Sequence, residues 1–126
     1  PVVSLMEEQE NVVNYGATMR LGRNKSITEE GSRIFAAYGE KHIVERHRHR
    51  YEFSNAYRNE MINSGLRLSA FTPDGVLVES VEWPDHPWAV GVQFHPEFKS
   101  KPTAAHPLFR EFVAAARDRK TAENGP

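Results

Sequence analysis

Hydrophobic and polar residues alternate most regularly in the second half of the chain. Residues 66–71 (LRLSAF) repeat with the period of two that is typical of a half-buried strand, and residues 76–83 (VLVESVEW) follow as the return strand of a hairpin. The sequence Thr72-Pro73-Asp74-Gly75 between them has the residues of a tight turn. A third apolar run, residues 88–94, follows the break at Pro84-Asp85-His86-Pro87. The pattern therefore predicts a β-hairpin followed by a further strand.

The first half of the chain predicts shorter elements, separated by a polar loop at 6–14. Strands are predicted at 1–5, where the sequence is typical of a buried strand, at 17–22, and at 42–53, where no residue interrupts the run. Helices are predicted at 28–38, ended by Gly39, and at 55–64, ended by Gly65. Because strands and helices interleave, the predicted fold class is α/β.

The end of the chain predicts an amphipathic helix over residues 107–116, with Pro107 in its first turn. Four apolar side chains are expected to form its buried stripe: Leu108, Phe109, Phe112 and Val113. Residues 120–126 are predicted to be a frayed, disordered tail.

Composition restricts the class of protein. The chain has 126 residues, of which 39% are hydrophobic and 26% charged, as expected of one soluble globular domain. A net charge of −1 gives no general attraction to nucleic acid or to a membrane surface. Cysteine is absent, which excludes disulfides and cysteine-based catalysis by this polypeptide and fits a cytoplasmic protein. Because the sequence begins with Pro1 inside a predicted strand, we expect it to be a fragment.

The sequence His95-Pro96-Glu97 is a candidate for proton transfer. It follows an apolar strand, and the proline favours an extended backbone at His95, so that the side chains two residues apart point the same way. The Glu97 carboxylate can then accept one imidazole N–H and leave the other ring nitrogen as a base. A turn histidine next to a solvated glutamate is the alternative.

No nucleophile for such a base is recognisable in the sequence. There is no Gly-x-Ser-x-Gly motif, so the partner of a catalytic His95 is expected outside this chain. The remaining candidates are interpreted as structural: His86 and His106 as turn residues beside prolines, and Trp83 and Trp88 as core residues around the hairpin.

Residues 45–52 form a basic segment, ERHRHRYE. As a strand it would present Arg46, Arg48 and Arg50 on one face and His47, His49 and Tyr51 on the other. Four roles remain open from the residues: an edge strand protected by charge, an arginine site for an anionic ligand, a nucleic-acid surface, and a metal site at the two histidines.

Several segments together resemble the class I glutamine amidotransferases. Residues 92–98, VQFHPEF, are similar to the histidine–glutamate motif shared by the whole superfamily. Residues 18–22, TMRLG, and 44–52, VERHRHRYE, are more specific and resemble the glutaminase domain of the CTP synthase family, as does the sequence that begins at His106. The resemblance extends from about Pro1 to Ala116.

The resemblance implies a fold and four site residues. Residues 1–119 would be the C-terminal portion of a flavodoxin-like glutaminase domain that ends in the amphipathic helix. His95 would be the general base and Glu97 its orienting partner. Arg50 would hold the backbone carboxylate of glutamine, and Tyr51 would help to shape the same pocket. The family's cysteine nucleophile and oxyanion hole precede the matched region, so the isolated chain is expected to be inactive.

The resemblance also implies partners outside this chain. In the family, ammonia released from glutamine passes to an N-terminal synthase domain, which uses ATP and Mg²⁺ to aminate UTP to CTP, and the full-length enzyme is a homotetramer. No metal, cofactor, nucleic acid or membrane is expected to bind this chain itself. Two alternatives stay open: a non-catalytic module that binds an anion or RNA through Arg46–Arg50, and part of another class I amidotransferase such as GMP synthetase.

Overall fold

The computed structural model describes residues 1–5 and 19–125, which form seven strands and three α-helices. The strands are β1 (Val3–Ser4), β2 (Arg20–Thr28), β3 (His42–His49), β4 (Glu52–Phe53), β5 (Arg67–Phe71), β6 (Val78–Glu82) and β7 (Val90–Val92). The helices are α1 (Arg33–Tyr38), α2 (Arg58–Asn63) and α3 (Pro107–Glu123), and 3-10 turns form at Asn55–Tyr57 and Pro96–Phe98. The predicted loop at 6–14, and residues 17 and 18 of the next predicted strand, lie outside the described residues.

Five of these strands form one sheet in the order β3-β2-β5-β6-β7, and β1 pairs with β4 separately. Every pairing among the described strands is antiparallel. The predicted hairpin is present as β5 and β6, and the strand predicted after it is β7, which pairs with β6. Within this sheet β3 is an edge strand, so one side of its backbone is available to other parts of the chain.

The alternation predicted for the basic segment is present in β3, but the strand ends earlier than predicted. Glu45 and His47 are buried, whereas Arg46 and Arg48 are exposed on the other face. The prediction of an unbroken strand was wrong, because the chain bends at Arg50 and then forms β4, which pairs with β1. The three arginines therefore do not share one strand face.

The first helix begins later than predicted because β2 continues through Thr28. The amide of Thr28 donates to the carbonyl oxygen of Lys41 at 2.8 Å, which keeps this residue in extended structure. Ser32 then caps the helix, since its side chain accepts a hydrogen bond from the amide of Phe35. Gly39 ends the helix as predicted, in the left-handed conformation with φ of 68° that glycine adopts without strain.

Buried apolar side chains form two clusters. One joins α1, the sheet and the start of α3, and comprises Ile34, Ala37, Ile43, Ala70, Phe94 and Leu108. The other lies around β4 to β6 and comprises Phe53, Leu66, Leu68 and Val78. Burial of a phenylalanine of this kind contributes roughly 1.5–3 kcal/mol. Phe94 therefore fixes the chain in the core one residue before His95.

Trp83 and the strand at 1–5, both predicted to be buried, lie nearer the surface. Trp83 is 44% exposed, whereas Trp88 packs against the first cluster as expected. The strand predicted at 1–5 shortens to Val3–Ser4 and is not buried, because Val3 sits on a two-stranded ribbon and is half exposed.

The last helix, α3, is longer and more exposed than predicted. Leu108 is buried, but the three other residues of the predicted stripe, Phe109, Phe112 and Val113, are exposed. The helix contacts the body near its start, where Arg110 Nη2 donates to the carbonyl oxygen of Ala37 at 2.9 Å. Residues 120–123, which were predicted to be part of a frayed tail, belong to this helix.

Candidate active site

The segment that carries His95 leaves β7 and crosses to the open edge of β3. The amide of His95 donates to the carbonyl oxygen of Arg46 at 2.9 Å. Pro96–Phe98 then form a 3-10 turn, whereas the sequence predicted an extended segment. The turn forms because the fixed φ of proline suits the first position of a helical turn. It is closed by the amide of Phe98, which donates to the carbonyl oxygen of His95 at 3.2 Å.

The turn brings the side chains of His95 and Glu97 into direct contact. His95 Nδ1 lies 2.6 Å from Glu97 Oε1. This hydrogen bond lowers the pKa of Glu97, so the carboxylate is ionised and accepts the Nδ1 proton. The other ring nitrogen, Nε2, is then the basic one. His95 is 38% exposed and Glu97 54%, so the pair faces open space rather than the core.

Aromatic and cationic neighbours fix the plane of the His95 ring. The ring stacks on Phe98 with centroids 5.2 Å apart and planes inclined by 24°. On β3, the guanidinium carbon of Arg46 lies 5.8 Å from the centre of the Phe98 ring. Such cation–π and stacking contacts contribute about 0.5–1.5 kcal/mol each. Arg46 thus supports His95 through both its backbone and its side chain.

The predicted substrate residues, Arg50 and Tyr51, lie between the end of β3 and the start of β4. Arg50 is half-buried at the bend, and Tyr51 is exposed. Arg50 lies beyond the end of β3, four residues after Arg46, whose carbonyl oxygen binds the His95 amide. The structure thus brings His95 and Glu97 into contact and places Arg50 and Tyr51 in the bend that follows β3. The roles of all four residues stay predictions.

Arg20, on the neighbouring strand β2, bridges two buried carboxylates that the sequence analysis did not single out. Arg20 Nη1 lies 3.2 Å from Glu52 Oε1, and its Nη2 lies 3.3 Å from Glu79 Oε2. Nε2 of His47 is 3.1 Å from the same oxygen of Glu79, although not in line for a hydrogen bond. Burial alone would raise the pKa of Glu79, but His47 and Arg20 outweigh burial and lower it. These four side chains connect β2, β3, β4 and β6.

His49 extends this arrangement to the bend. Its Nε2 lies 2.7 Å from His47 Nδ1, and its Nδ1 lies 3.0 Å from the carbonyl oxygen of Tyr51. Burial lowers the pKa of His49 to about 4, so the ring is neutral near pH 7 and has a single N–H. Since a carbonyl only accepts, that proton is on Nδ1 and Nε2 accepts from His47. The neutral ring holds the bend that contains Arg50.

A second buried group centres on Glu45, which is fully buried in β3. Its Oε1 accepts hydrogen bonds from Tyr38 Oη and His106 Nε2, each at 2.7 Å. Burial would raise the pKa of Glu45, but the hydrogen bond from His106, followed by that from Tyr38, lowers it. Burial is the larger cause, and the hydrogen bond to Glu45 the second, of a pKa of Tyr38 that lies far above its ordinary value. His106, which was predicted to be a turn residue, is thus a buried partner.

The alternation in β3 indicated both buried groups, the one around Glu79 and the one around Glu45. Ile43, Glu45 and His47 occupy the inward-facing positions of β3, as the period of two requires. Charged side chains at such positions are seldom buried unless they are paired. The alternation therefore indicated buried ion pairs, but the partners come from distant parts of the chain and could not be identified.

The described residues contain no candidate metal site and no candidate membrane-spanning helix. Among residues 1–5 and 19–125, no three histidine or acidic side chains come together as a metal ion would require, and His47 and His49 bond to each other instead. No helix in the same ranges is long and apolar enough to span a membrane.

Comparison with protein families assigns the class. The family model "Glutamine amidotransferase class-I" matches residues 3–115, and the chain belongs to this family. Its close relatives within the family include the CTP synthases of Geotalea uraniireducens, 58% identical over 116 residues, and Clostridium kluyveri, 53% identical over 120 residues. These alignments cover 92% and 95% of the chain but 22% of each relative, so the chain spans about a fifth of their length.

Solved structures agree with this assignment. The glutaminase domain of Trypanosoma brucei CTP synthase, solved with bound acivicin, is 38% identical with a TM-score of 0.85, and the match covers 93% of the chain and 46% of that domain. A GMP synthase component from Thermoplasma acidophilum matches with a TM-score of 0.67 at 17% identity, over 98% of the chain and 52% of that protein. The second match shows a common fold alone. The much higher identity to CTP synthases disfavours the GMP synthetase alternative.

Proposed function

We propose that the chain is the C-terminal segment of the glutaminase domain of a CTP synthase. In this function the complete domain hydrolyses glutamine, and the ammonia is used for ATP-dependent amination of UTP to CTP. The observation that supports the proposal most strongly is the 2.6 Å contact between His95 Nδ1 and Glu97 Oε1 on a loop beside β3, in a chain of this family. The net charge of −1 gives the alternative of an RNA-binding module no comparable support.

The proposed mechanism uses His95 as a base and then as an acid. Nε2 takes the proton of a cysteine thiol, which is expected on a part of the full-length enzyme outside this cysteine-free chain. The thiolate attacks the side-chain amide carbon of glutamine, and His95 returns the proton to the departing nitrogen as ammonia leaves. Nε2 then removes a proton from the water that hydrolyses the thioester. Glu97 stabilises the imidazolium at both stages.

In the same proposal, Arg50 binds the backbone carboxylate of glutamine. A guanidinium presents two parallel N–H groups to a carboxylate, which fixes both the position and the orientation of the substrate. Tyr51 contributes to the wall of the pocket. The exposed position of Tyr51 and the half-buried position of Arg50 are compatible with a site that is completed by another part of the enzyme.

The other components belong to the full-length enzyme. ATP and Mg²⁺ would bind the N-terminal synthase domain, which would receive the ammonia, and the enzyme would act as a cytoplasmic homotetramer. The isolated chain is expected to release no ammonia from glutamine, because it has no thiol for His95 to deprotonate.

The experiment that tests the proposal compares two nitrogen sources. In the full-length enzyme, His95→Ala is expected to abolish CTP formation from glutamine and to leave CTP formation from added ammonia unchanged. His42→Ala is the matched control, because His42 is an exposed histidine at the opposite end of β3. Equal losses with both nitrogen sources, or no loss with glutamine, would contradict the proposal.

A further inference from the structure

The loop that carries His95 and Glu97 is attached to three consecutive residues of β3. Arg46 accepts the His95 amide and lies over Phe98. Two residues earlier on the strand, the carbonyl oxygen of Val44 accepts a hydrogen bond from Lys99 Nζ at 2.7 Å. In an edge strand, carbonyl groups two residues apart point to the same open side. The loop therefore binds backbone carbonyl groups of β3 with which a further strand would otherwise pair.

Between these two carbonyls lies Glu45, which points to the interior. Lys99 Nζ is 3.4 Å from Glu45 Oε1, the same oxygen that accepts from Tyr38 and His106. The Lys99 side chain is 46% exposed, so its ammonium group passes from the surface toward a carboxylate that is fully buried. Lys99 thus joins the loop to the buried group of Glu45, two residues after Glu97.

His106 is the second residue that joins the segment after Glu97 to Glu45. Its Nδ1 accepts a hydrogen bond from the amide of Leu108 at 3.1 Å, as the cap of α3, so that nitrogen carries no proton. The proton is on Nε2 and is donated to Glu45. The amide of His106 donates to Ser100 Oγ at 3.1 Å. The chain between the candidate dyad and α3 is therefore held at both ends by one carboxylate.

A buried carboxylate of this kind allows few other arrangements of its neighbours. Removing an ionised group from water costs several kcal/mol unless donors replace the water, so loss of any donor from Glu45 is unfavourable. The donors come from α1, from the loop and from the start of α3. Proton transfer also depends on geometry, since a misplacement of about 1 Å can lower a rate by about a hundredfold. The contacts that satisfy Glu45 Oε1 can thus define where the His95 ring lies.

We propose that Glu45 and Lys99 are positioning residues for glutamine hydrolysis. They hold the loop so that His95 Nε2 faces the nucleophile, and neither touches the substrate. This inference rests on the proposed glutaminase function, because it presumes that His95 is the base.

The test uses Lys99→Met in the full-length enzyme. Lys99→Met keeps an unbranched side chain, one atom shorter, and removes the charge and the hydrogen bonds of Lys99. The kcat for glutamine-dependent CTP formation is expected to fall about tenfold, with KM for glutamine within about twofold, because geometry at His95 changes and Arg50 does not. Ammonia-dependent CTP formation is expected to stay unchanged, because it uses the synthase domain, and an unchanged thermal unfolding midpoint shows that the glutaminase domain of the variant is folded.

Two companion variants make the comparison specific. Lys101→Met is the matched control, since Lys101 is exposed and its side chain makes no hydrogen bond or ion pair within the described residues. Lys99→Arg is expected to retain most of the kcat, because arginine can donate to the Val44 carbonyl from the same position. A purely structural role would lower the thermal unfolding midpoint of the glutaminase domain together with the glutamine-dependent rate, whereas a positioning role lowers that rate and leaves the midpoint unchanged.

The outcomes distinguish this inference from the function on which it rests. If His95→Ala abolishes the glutamine route but Lys99→Met leaves its kcat unchanged, the positioning role is wrong and the function stands. If Lys99→Met lowers both routes equally, the positioning role is also wrong. If His95→Ala itself leaves the glutamine route intact, the proposed function fails.

Discussion

At the scale of single residues, Glu97 controls which nitrogen of His95 is basic. Its carboxylate accepts the Nδ1 proton at 2.6 Å, and the hydrogen bond from His95 lowers its pKa. An amide at this position can still accept that hydrogen bond, but it has no charge with which to stabilise an imidazolium. The charge of Glu97, as well as its position, is therefore expected to matter.

The corresponding prediction concerns Glu97→Gln in the full-length enzyme. We expect the kcat for glutamine hydrolysis to fall about ten- to a hundredfold, less than for a fully buried orienting carboxylate, because water already solvates Glu97. Steady-state ammonia release measures the change. Glu60→Gln, an exposed carboxylate in α2 whose side chain makes no ion pair with the described residues, is the control. An unchanged kcat would show that Glu97 does not act on His95.

His49 is a residue whose charge state should affect stability. Its pKa is lowered to about 4, mainly by burial and also by the nearby charges of His47 and Arg20, with Glu79 and the Tyr51 carbonyl opposing. The unfolded chain therefore binds a proton that the folded chain excludes between about pH 6.5 and pH 4. Stability from this residue is complete above pH 6.5 and decreases as the pH falls through that window.

We predict that His49→Gln makes the stability less dependent on pH. The thermal midpoint of the full-length enzyme is expected to fall between pH 6.5 and pH 4, and to fall less in the variant, because glutamine does not titrate and can still donate to the Tyr51 carbonyl. His42→Gln, at the exposed end of β3, should behave as the unmodified protein does. The same pH dependence in His49→Gln would contradict the assigned charge state.

At the scale of secondary-structure elements, β3 organises the described part of the chain. Its outer carbonyl groups bind the His95 loop, and its inner side chains, Glu45 and His47, contact partners from α1, from the start of α3 and from β6. The strand was predicted from its sequence because no residue interrupts the run that begins at His42. Its end was not, because the bend at Arg50 depends on the contact between His49 and the Tyr51 carbonyl, which the pattern does not encode.

The hydrogen bond from Tyr38 in α1 to Glu45 in β3 is expected to stabilise the folded protein. Tyr38→Phe removes the hydroxyl that donates to Glu45 Oε1 at 2.7 Å and leaves a buried carboxylate with one fewer donor. We expect the free energy of unfolding to decrease by about 1–3 kcal/mol, measured by urea denaturation of the full-length enzyme. Tyr57→Phe is the control, since the Tyr57 hydroxyl makes no hydrogen bond with the described residues. Equal stability of the two variants would show that this hydrogen bond contributes nothing.

Element boundaries and exposure were harder to predict than element type. The stripe of Phe109, Phe112 and Val113 has the spacing of a buried helix face, yet α3 contacts the core mainly through Leu108. Periodicity shows which residues share a face of a helix, but it does not show how far the helix extends beyond the body it packs against. Trp83 illustrates the same limit at the end of β6.

At the scale of the whole molecule, the chain supplies one part of a proposed site. Residues 3–115 match the class I glutamine amidotransferase family, and the chain spans about a fifth of its CTP synthase relatives, at 22% of their length. His95, Glu97 and Arg50 could be proposed from the sequence because they lie in short motifs that resemble those of the family. The buried groups around Glu45 and Glu79 could not, because their partners meet only in the folded chain.

The measurement that tests the central claim most directly is a competition between nitrogen sources. Full-length enzyme carrying His95→Ala is supplied with amide-¹⁵N-labelled glutamine and unlabelled ammonia together, and the ¹⁵N content of the CTP is measured by mass spectrometry. The account predicts that total CTP stays at the level of the unmodified enzyme while nearly all of the label disappears from it. Label retained in CTP, or total CTP lost together with the label, would contradict the assignment of His95 to amide cleavage.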